Sequence, residues 1–232
     1  MAGIAGIAGQ GRREEVQQML RAIAHRGGAG SKIIEQHGAT LGAEWAPAEV
    51  QPTPATVVGR AAWDGKQPPL PDPRALARAR GPFALAAATP QGLFLARDPL
   101  GICPLYYGHT SDGALCFASE VKALLGLAQS VSEFPPGAWY DHHSSFRHFT
   151  RLQPRAALPA HDADDIAVGL RLRLEQAICR HLSAGPMGSW LSGGLDSSGI
   201  VALARPHVPR LHTFAAGVAG APDLAFARQV AE

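Results

Sequence analysis

The pattern of apolar and polar positions changes character near the middle of the 232-residue chain. Residues 3–8, Gly-Ile-Ala-Gly-Ile-Ala, are uniformly small or apolar and predict a short buried strand close to the N-terminus. Val16, Met19, Leu20 and Ile23 then recur at helical spacing and predict a helix over 14–24. His25-Arg26-Gly27-Gly28 ends it, with glycine in the C-cap region. Strand-like runs follow at 32–35, 56–59, 83–88, 92–97, 105–108 and 115–118. Turn sequences such as Thr89-Pro90-Gln91-Gly92 and Ser111-Asp112-Gly113 separate them. A short helix is expected over 121–127. Many strands with few helices predict a layered, mostly antiparallel domain.

The stretch 135–161 is rich in Pro, Ser and His and fits an interdomain connection. Beyond it, Ile166, Leu170, Leu174, Ala177 and Ile178 fall at helical spacing behind Asp162, Asp164 and Asp165. They predict an amphipathic helix over 162–182 with its acidic end at the N-terminus. A strand at 187–191, a Gly-rich loop, a helix at 197–204, a strand at 211–218 and a helix from 223 complete the chain. That alternation predicts a parallel sheet. Two domains are therefore expected, 1–150 and 161–232, with no internal repeat.

The loop at Leu191-Ser192-Gly193-Gly194-Leu195-Asp196-Ser197-Ser198 is the chemically most specific segment. Between a strand and a helix, paired glycines let the backbone approach an anion, and the helix N-terminus supplies unpaired N–H groups. Ser192, Ser197 and Ser198 add hydroxyl donors, and Asp196 is suited to hold Mg²⁺ beside phosphates. It is not a P-loop: Gly188 and Gly193 have that spacing, but Gly194 and Leu195 follow where Lys and Ser/Thr belong. Without the Lys that reaches the β- and γ-phosphates, the run fits a nucleotide cleaved between its α- and β-phosphates.

Composition narrows the function classes. Hydrophobic residues make up 46% of the chain, enough for a real core. A net charge of +2 gives no reason to expect nucleic acid or a membrane as partner. Cys103, Cys116 and Cys179 are widely spaced and odd in number, which reads as buried free thiols in a reducing cytoplasm. His142, His143 and His148 form the densest histidine cluster but sit in a polar, turn-rich stretch that does not suggest a metal site. No apolar run reaches a transmembrane length, and residues 1–11 lack the basic start of a signal peptide.

Taken together, these segments resemble the glutamine-dependent asparagine synthetases. The similarity runs through Met1-Ala2-Gly3-Ile4-Ala5-Gly6-Ile7, then Arg97-Asp98-Pro99-Leu100-Gly101-Ile102 with Pro104-Leu105-Tyr106-Tyr107, and Phe117-Ala118-Ser119-Glu120-Val121-Lys122-Ala123-Leu124. It continues through Phe134-Pro135-Pro136-Gly137, the phosphate loop, Leu211-His212-Thr213-Phe214-Ala215-Ala216-Gly217 and Pro222-Asp223-Leu224. The resemblance implies an α+β layered sandwich of the N-terminal-nucleophile glutaminase type. The start of an α/β parallel-sheet ATP-pyrophosphatase domain would follow. It further implies ATP and Mg²⁺ as cofactors, a small aspartate-like carboxylate as substrate, and carboxylate adenylylation followed by amide formation. Residues 191–198 would bind ATP, Leu191 and Ala216 would line the adenine pocket, Asp196 would bind Mg²⁺, and Asp98 would hold the glutamine α-amine.

The departures from the family decide the expected chemistry. The family's nucleophile is Cys at position 2, where this chain has Ala2, so no acyl-enzyme can form. The family's Arg-Leu-Ser-Ile run is not found between Gly38 and Pro54, and its Asn-Gly-Glu segment is replaced near Ala61-Ala62-Trp63-Asp64. The stretch from Gly65 to Arg80 looks shortened as well. These losses favour natural decay of the glutaminase half over an engineered Cys→Ala change. The family's second acidic phosphate loop and later catalytic Lys are also missing from this sequence. The expected function is an asparagine synthetase-like ligase without glutaminase activity. The alternatives are an ATP-driven cyclase of the β-lactam or lasso-peptide type, or a non-catalytic nucleotide-binding subunit or fragment. A second chain supplying the rest of the synthetase domain, or a homodimer, are the expected forms of assembly.

Overall fold

The computed structural model describes residues 2–45, 55–59, 72–141, 145–151, 162–182, 185–218 and 220–232. They divide into two compact units, 1–154 and 155–232.

In the first unit, β1 (Gly3–Ala8) lies between two antiparallel partners, β3 (Ala39–Trp45) and β8 (Leu115–Ala118). With β2 (Gly30–Gln36), β7 (Tyr106–His109) and β9 (Val131–Glu133) they form a six-stranded sheet in the order β2-β3-β1-β8-β7-β9. A second sheet has the order β11-β10-β6-β5-β4, built from β4 (Ala55–Gly59), β5 (Phe83–Thr89), β6 (Gly92–Arg97), β10 (Ala138–Asp141) and β11 (Ser145–His148).

The side-chain period of two sorts each strand onto both of its faces. Ile4, Leu41 and Phe117 of the first sheet meet Ala84, Ala86, Leu93 and Leu95 of the second in one shared core. On the far side of the first sheet, Ala5, Ile7 and Cys116 pack against Val16, Met19 and Leu20 of α1 (Arg13–Ala22). A side chain at Gly42 would come 2.8 Å from Val16 and Leu20, so its absence lets α1 lie close to the sheet. On the far side of the second sheet, Phe83, Leu85 and Phe94 pack with Leu76 of the short helix α2 (Pro73–Leu76). The central strands of both sheets are thus buried on both faces, which explains why the apolar runs of β1, β5 and β6 show no polar alternation.

Several expectations are corrected here. β3 was not anticipated, because Ala39-Thr40-Leu41-Gly42-Ala43-Glu44-Trp45 has few β-branched residues; pairing with β1 and β2 makes it a strand. The stretch read as an interdomain connection contains β10 and β11, with β10 paired to β6. The helix expected over 121–127 is a single 3-10 turn, Val121–Ala123. Cys103 and Cys116 are buried as expected, but Cys179 is exposed. His142 and His143 lie outside the described residues, and no metal-binding group of three His, Cys, Asp or Glu occurs among the described ones.

The second unit holds α3 (Ala163–His181), β12 (Met187–Trp190), α4 (Leu195–Ala204), β13 (Leu211–Phe214) and α5 (Pro222–Ala231). β12 and β13 pair in parallel, from Met187 opposite Leu211 to Trp190 opposite Phe214. The strand expected over 211–218 stops at Phe214. Leu191, Val201 and Ala227 form a small core, with Leu211 packed against it. α3 starts on the Asp162 side chain, which accepts from Asp164 N, but it has no buried residue. Its Ile166, Leu170 and Leu174 keep the helical spacing yet remain exposed. None of the described helices is long and apolar enough to cross a membrane.

Candidate functional site

The Gly-rich loop joins the C-terminal end of β12 to the N-terminus of α4. Leu191 N donates to Phe214 O at 2.8 Å, so the parallel pairing extends to the start of the loop. The two hydroxyls of Ser192 and Ser197 are 2.8 Å apart, and Ser192 N donates to Ser197 Oγ at 3.1 Å. Gly194 N donates to Ser192 Oγ at 3.3 Å, and Ser197 Oγ donates to Gly194 O at the same distance. The loop is thus folded back on itself by its own serines.

Gly194 is the N-cap of α4, and its carbonyl accepts from Ser198 N at 3.1 Å. The N–H groups of Leu195, Asp196 and Ser197 fall in the first turn, where a helix offers no acceptor of its own. The Ser198 hydroxyl is buried without a hydrogen-bond partner among the described residues. Asp196 is exposed in the same turn. The helix N-terminus, the orphaned hydroxyl and the exposed serine cluster place several hydrogen-bond donors at this end of the strand.

Gly193 has φ +85°, in the left-handed region that favours glycine. Leu195, in the middle of the run, projects into solvent. Leu191 is only 2% exposed and packs in the core with Val201 and Ala227. Its side chain supports the loop from the core side. Ala216 lies in the exposed segment after β13.

Asp196 is a lone carboxylate beside a phosphate-type loop. That donor set fits Mg²⁺, which is commonly held by one or two carboxylates together with substrate phosphates and water.

In the first unit, Ala2 is 7% exposed and belongs to the shared core with Ile4 and Cys103. Its carbonyl accepts from Arg26 Nε at 3.2 Å, and Arg26 Nη1 pairs with Glu120 at 2.9 Å. Glu120 also pairs with Lys122 at 3.2 Å and with His25 at 2.9 Å. Burial pushes the Glu120 carboxyl up, but hydrogen bonds from Arg26 and Lys122 and the charges of His25 and Lys122 outweigh it, leaving it below its ordinary value. Ser119 fixes the same corner: Ile4 N donates to its hydroxyl at 2.9 Å, and its own N–H donates to Ile4 O at 2.8 Å. Sequence reasoning read His25-Arg26 only as a helix end and missed Arg26 as the partner of Ala2. The signal was a basic residue placed just after α1, at the height of the chain terminus.

Asp98, which the resemblance assigns to the glutamine α-amine, is held by the backbone of its own loop. It is 1% exposed, and its carboxylate accepts from four backbone N–H groups. Leu100 N and Ile102 N reach Oδ1 at 3.0 Å, while Cys103 N and Phe83 N reach Oδ2 at 2.9 and 3.3 Å. A carboxylate saturated in this way has no lone pair to offer a ligand amine. Arg97 clamps the same loop from beneath, donating to the carbonyls of Cys103, Gly101 and Phe134 at 2.7 Å each. The segments where the family's other glutamine contacts would fall, around 46–54 and 60–71, lie outside the described residues.

Two family models match parts of the chain. The family model described as "Asparagine synthase" matches residues 169–232, and "Glutamine amidotransferase domain" matches residues 71–126. The chain is 35% identical over 161 residues to the asparagine synthetase [glutamine-hydrolyzing] of Zea mays, covering 65% of this chain and 28% of that protein. It is 34% identical over 165 residues to asparagine synthetase B of Escherichia coli (strain K12), covering 64% of this chain and 30% of that protein. The chain thus spans under a third of the length of these curated relatives. Among solved structures it is similar to the glutamine phosphoribosylpyrophosphate amidotransferase from B. subtilis complexed with ADP and GMP. The TM-score is 0.54 at 16% identity, covering 92% of this chain and 65% of that one. At that identity the likeness is one of fold, that of the N-terminal-nucleophile glutamine amidotransferases.

Proposed function

We propose that this chain, as a member of the asparagine synthetase family, binds ATP through residues 192–198 for carboxylate adenylylation, without hydrolysing glutamine. The observation that carries this reading is the loop itself. Ser192, Ser197 and the first-turn N–H groups of α4 converge at the end of a parallel strand. In a loop without the P-loop lysine, those donors hold the β- and γ-phosphates, which leave together as pyrophosphate. Leu191 supports the loop from the core, and Gly193 and Gly194 let the backbone close around the anion. Asp196 would hold Mg²⁺, which would supply charge neutralisation on the leaving pyrophosphate. The attacking group is the oxygen of a small carboxylate such as aspartate, and nitrogen then displaces AMP.

Ala2 supports the other half of the reading. Its methyl group offers no nucleophile to the glutamine amide, so nitrogen has to come from ammonia or an amine. The expected signature is release of AMP and pyrophosphate from ATP that depends on a carboxylate, with no glutamate formed from glutamine. Release of ADP and phosphate, or glutamate from glutamine, would contradict it.

A second reading is a nucleotide-binding subunit that acts with another chain or a second copy of itself. It is favoured by α3, which has no buried residue, and by Trp190, which is 75% exposed at the end of a two-stranded sheet. Under that reading ATP binds the isolated chain and is not turned over until the partner is added.

A further inference from the structure

Gly193 is held in its left-handed conformation by more than its own flexibility. A side chain there would overlap the carbonyl oxygen of Asp223, and it would approach Ala227 N to 2.8 Å and Phe226 Cβ to 3.0 Å. The loop is therefore pressed directly against the backbone of the first two turns of α5. At a second glycine, Gly217 after β13, an added Cβ would come 3.2 Å from the Leu224 side chain of the same helix. From the core side, Ala227 packs with Leu191, the residue that starts the loop.

Besides the loop, α5 rests on α4, whose Val201 shares the small core with Ala227. Ala227 is its one buried residue, while Phe226 and Val230 are exposed. A 10-residue helix is marginal on its own in water. Its order depends on the surface that the loop offers it, and the loop's left-handed turn is in turn confined by the helix.

We propose that α5 is the positioning element of the phosphate loop, and that anion binding at residues 192–198 and docking of α5 are thermodynamically linked. The proposal rests on the phosphate-loop reading above. Docked α5 fixes the Gly193 torsion and so presets the serine hydroxyls and the α4 N–H groups for the anion. A bound anion fixes the same torsion from the other side and holds α5 down. Because linkage is reciprocal, whatever the anion contributes to α5 docking, α5 contributes to anion affinity. Asp223 and Ala227 act through the loop and touch no ligand themselves.

The test is amide hydrogen exchange on the full chain with and without Mg-pyrophosphate. The expected result is that exchange slows at least fivefold in residues 223–231 as well as in the loop. Gly193→Ala is expected to weaken pyrophosphate binding at least tenfold and to speed α5 exchange in the free protein. Gly194→Ala should leave α5 exchange as it is, because Gly194 has φ −76° and a methyl there would meet only Ser192 Oγ, at 3.5 Å. If Gly193→Ala does not fold, the wild-type comparison alone decides. Slowing confined to the loop, with α5 unchanged, overturns the linkage and leaves the phosphate-loop reading standing. No slowing in either segment at millimolar pyrophosphate overturns both.

Discussion

The carboxylate of Asp98 accepts a hydrogen bond from the backbone N–H of Cys103 at 2.9 Å, and that bond closes the loop between β6 and β7 onto its own first residue. With three further N–H groups on the same carboxylate, Asp98 organises the backbone and leaves no acceptor for a substrate. Asp98→Asn would turn one acceptor oxygen into an NH₂ group that faces buried N–H donors. The expected loss is about 3 kcal/mol. For a chain of this size that lowers the unfolding midpoint by roughly 6–12 °C. Thermal unfolding followed by circular dichroism reads it, and an unchanged midpoint would contradict the assignment.

The three thiols should separate cleanly by reactivity. Burial pushes both the Cys103 and the Cys116 thiol up to about 11, so neither is ionised near neutrality. Cys179 is exposed on α3. Only the thiolate reacts, so a maleimide or disulfide reagent at neutral pH should modify one site quickly and the other two only on unfolding. Cys179→Ser should abolish the fast phase, as intact-mass measurement would show.

The cluster around Glu120 makes part of the stability of the first unit acid-sensitive. Its folded value lies below the ordinary 4.5, so its contribution is present above that value and is lost as the pH falls through the lower, folded one. Glu120→Gln should lower the unfolding midpoint at pH 7. It should also flatten the fall in stability expected below pH 4.5 in the wild type. A parallel acid limb in both proteins would mean that the cations of Arg26, His25 and Lys122 do not couple to this carboxylate.

Restoring the nucleophile should not restore glutaminase activity. The residue at position 2 is packed in the core beside Cys103, its carbonyl is bound by Arg26, and Asp98 cannot accept a ligand amine. Ala2→Cys with glutamine is expected to yield no glutamate above background in a coupled assay. Sustained glutamate release would show that a working pocket survives around residue 2.

How much of this was legible in the sequence depended on where each residue finds its partners. β6 and β8 were placed at their observed bounds and α1 within two residues, because their apolar pattern is dense and local. β3 and β10 were missed, since small residues in one and a Pro- and His-rich setting in the other hide strands made by pairing. The phosphate loop was readable as a motif, yet the burial of Leu191 was not, because it depends on Ala227, far along the chain. Asp98 shows the same gap: the sequence reveals a conspicuous acid, but only the fold reveals four N–H groups turned toward it. The periodicity of α3 was real, and a buried face was inferred from it, but no residue of that helix is buried.

The central claim is that the loop at residues 192–198 holds the pyrophosphate portion of a nucleotide. Isothermal titration of the full chain with pyrophosphate, with and without Mg²⁺, tests it most directly. The expected result is saturable one-to-one binding that strengthens with Mg²⁺, loses that Mg²⁺ dependence in Asp196→Asn, and weakens about tenfold in Ser197→Ala. The Ser197 estimate corresponds to about 1.4 kcal/mol for a hydrogen bond to a charged ligand. No heat of binding at millimolar pyrophosphate, or binding that neither substitution alters, would contradict it.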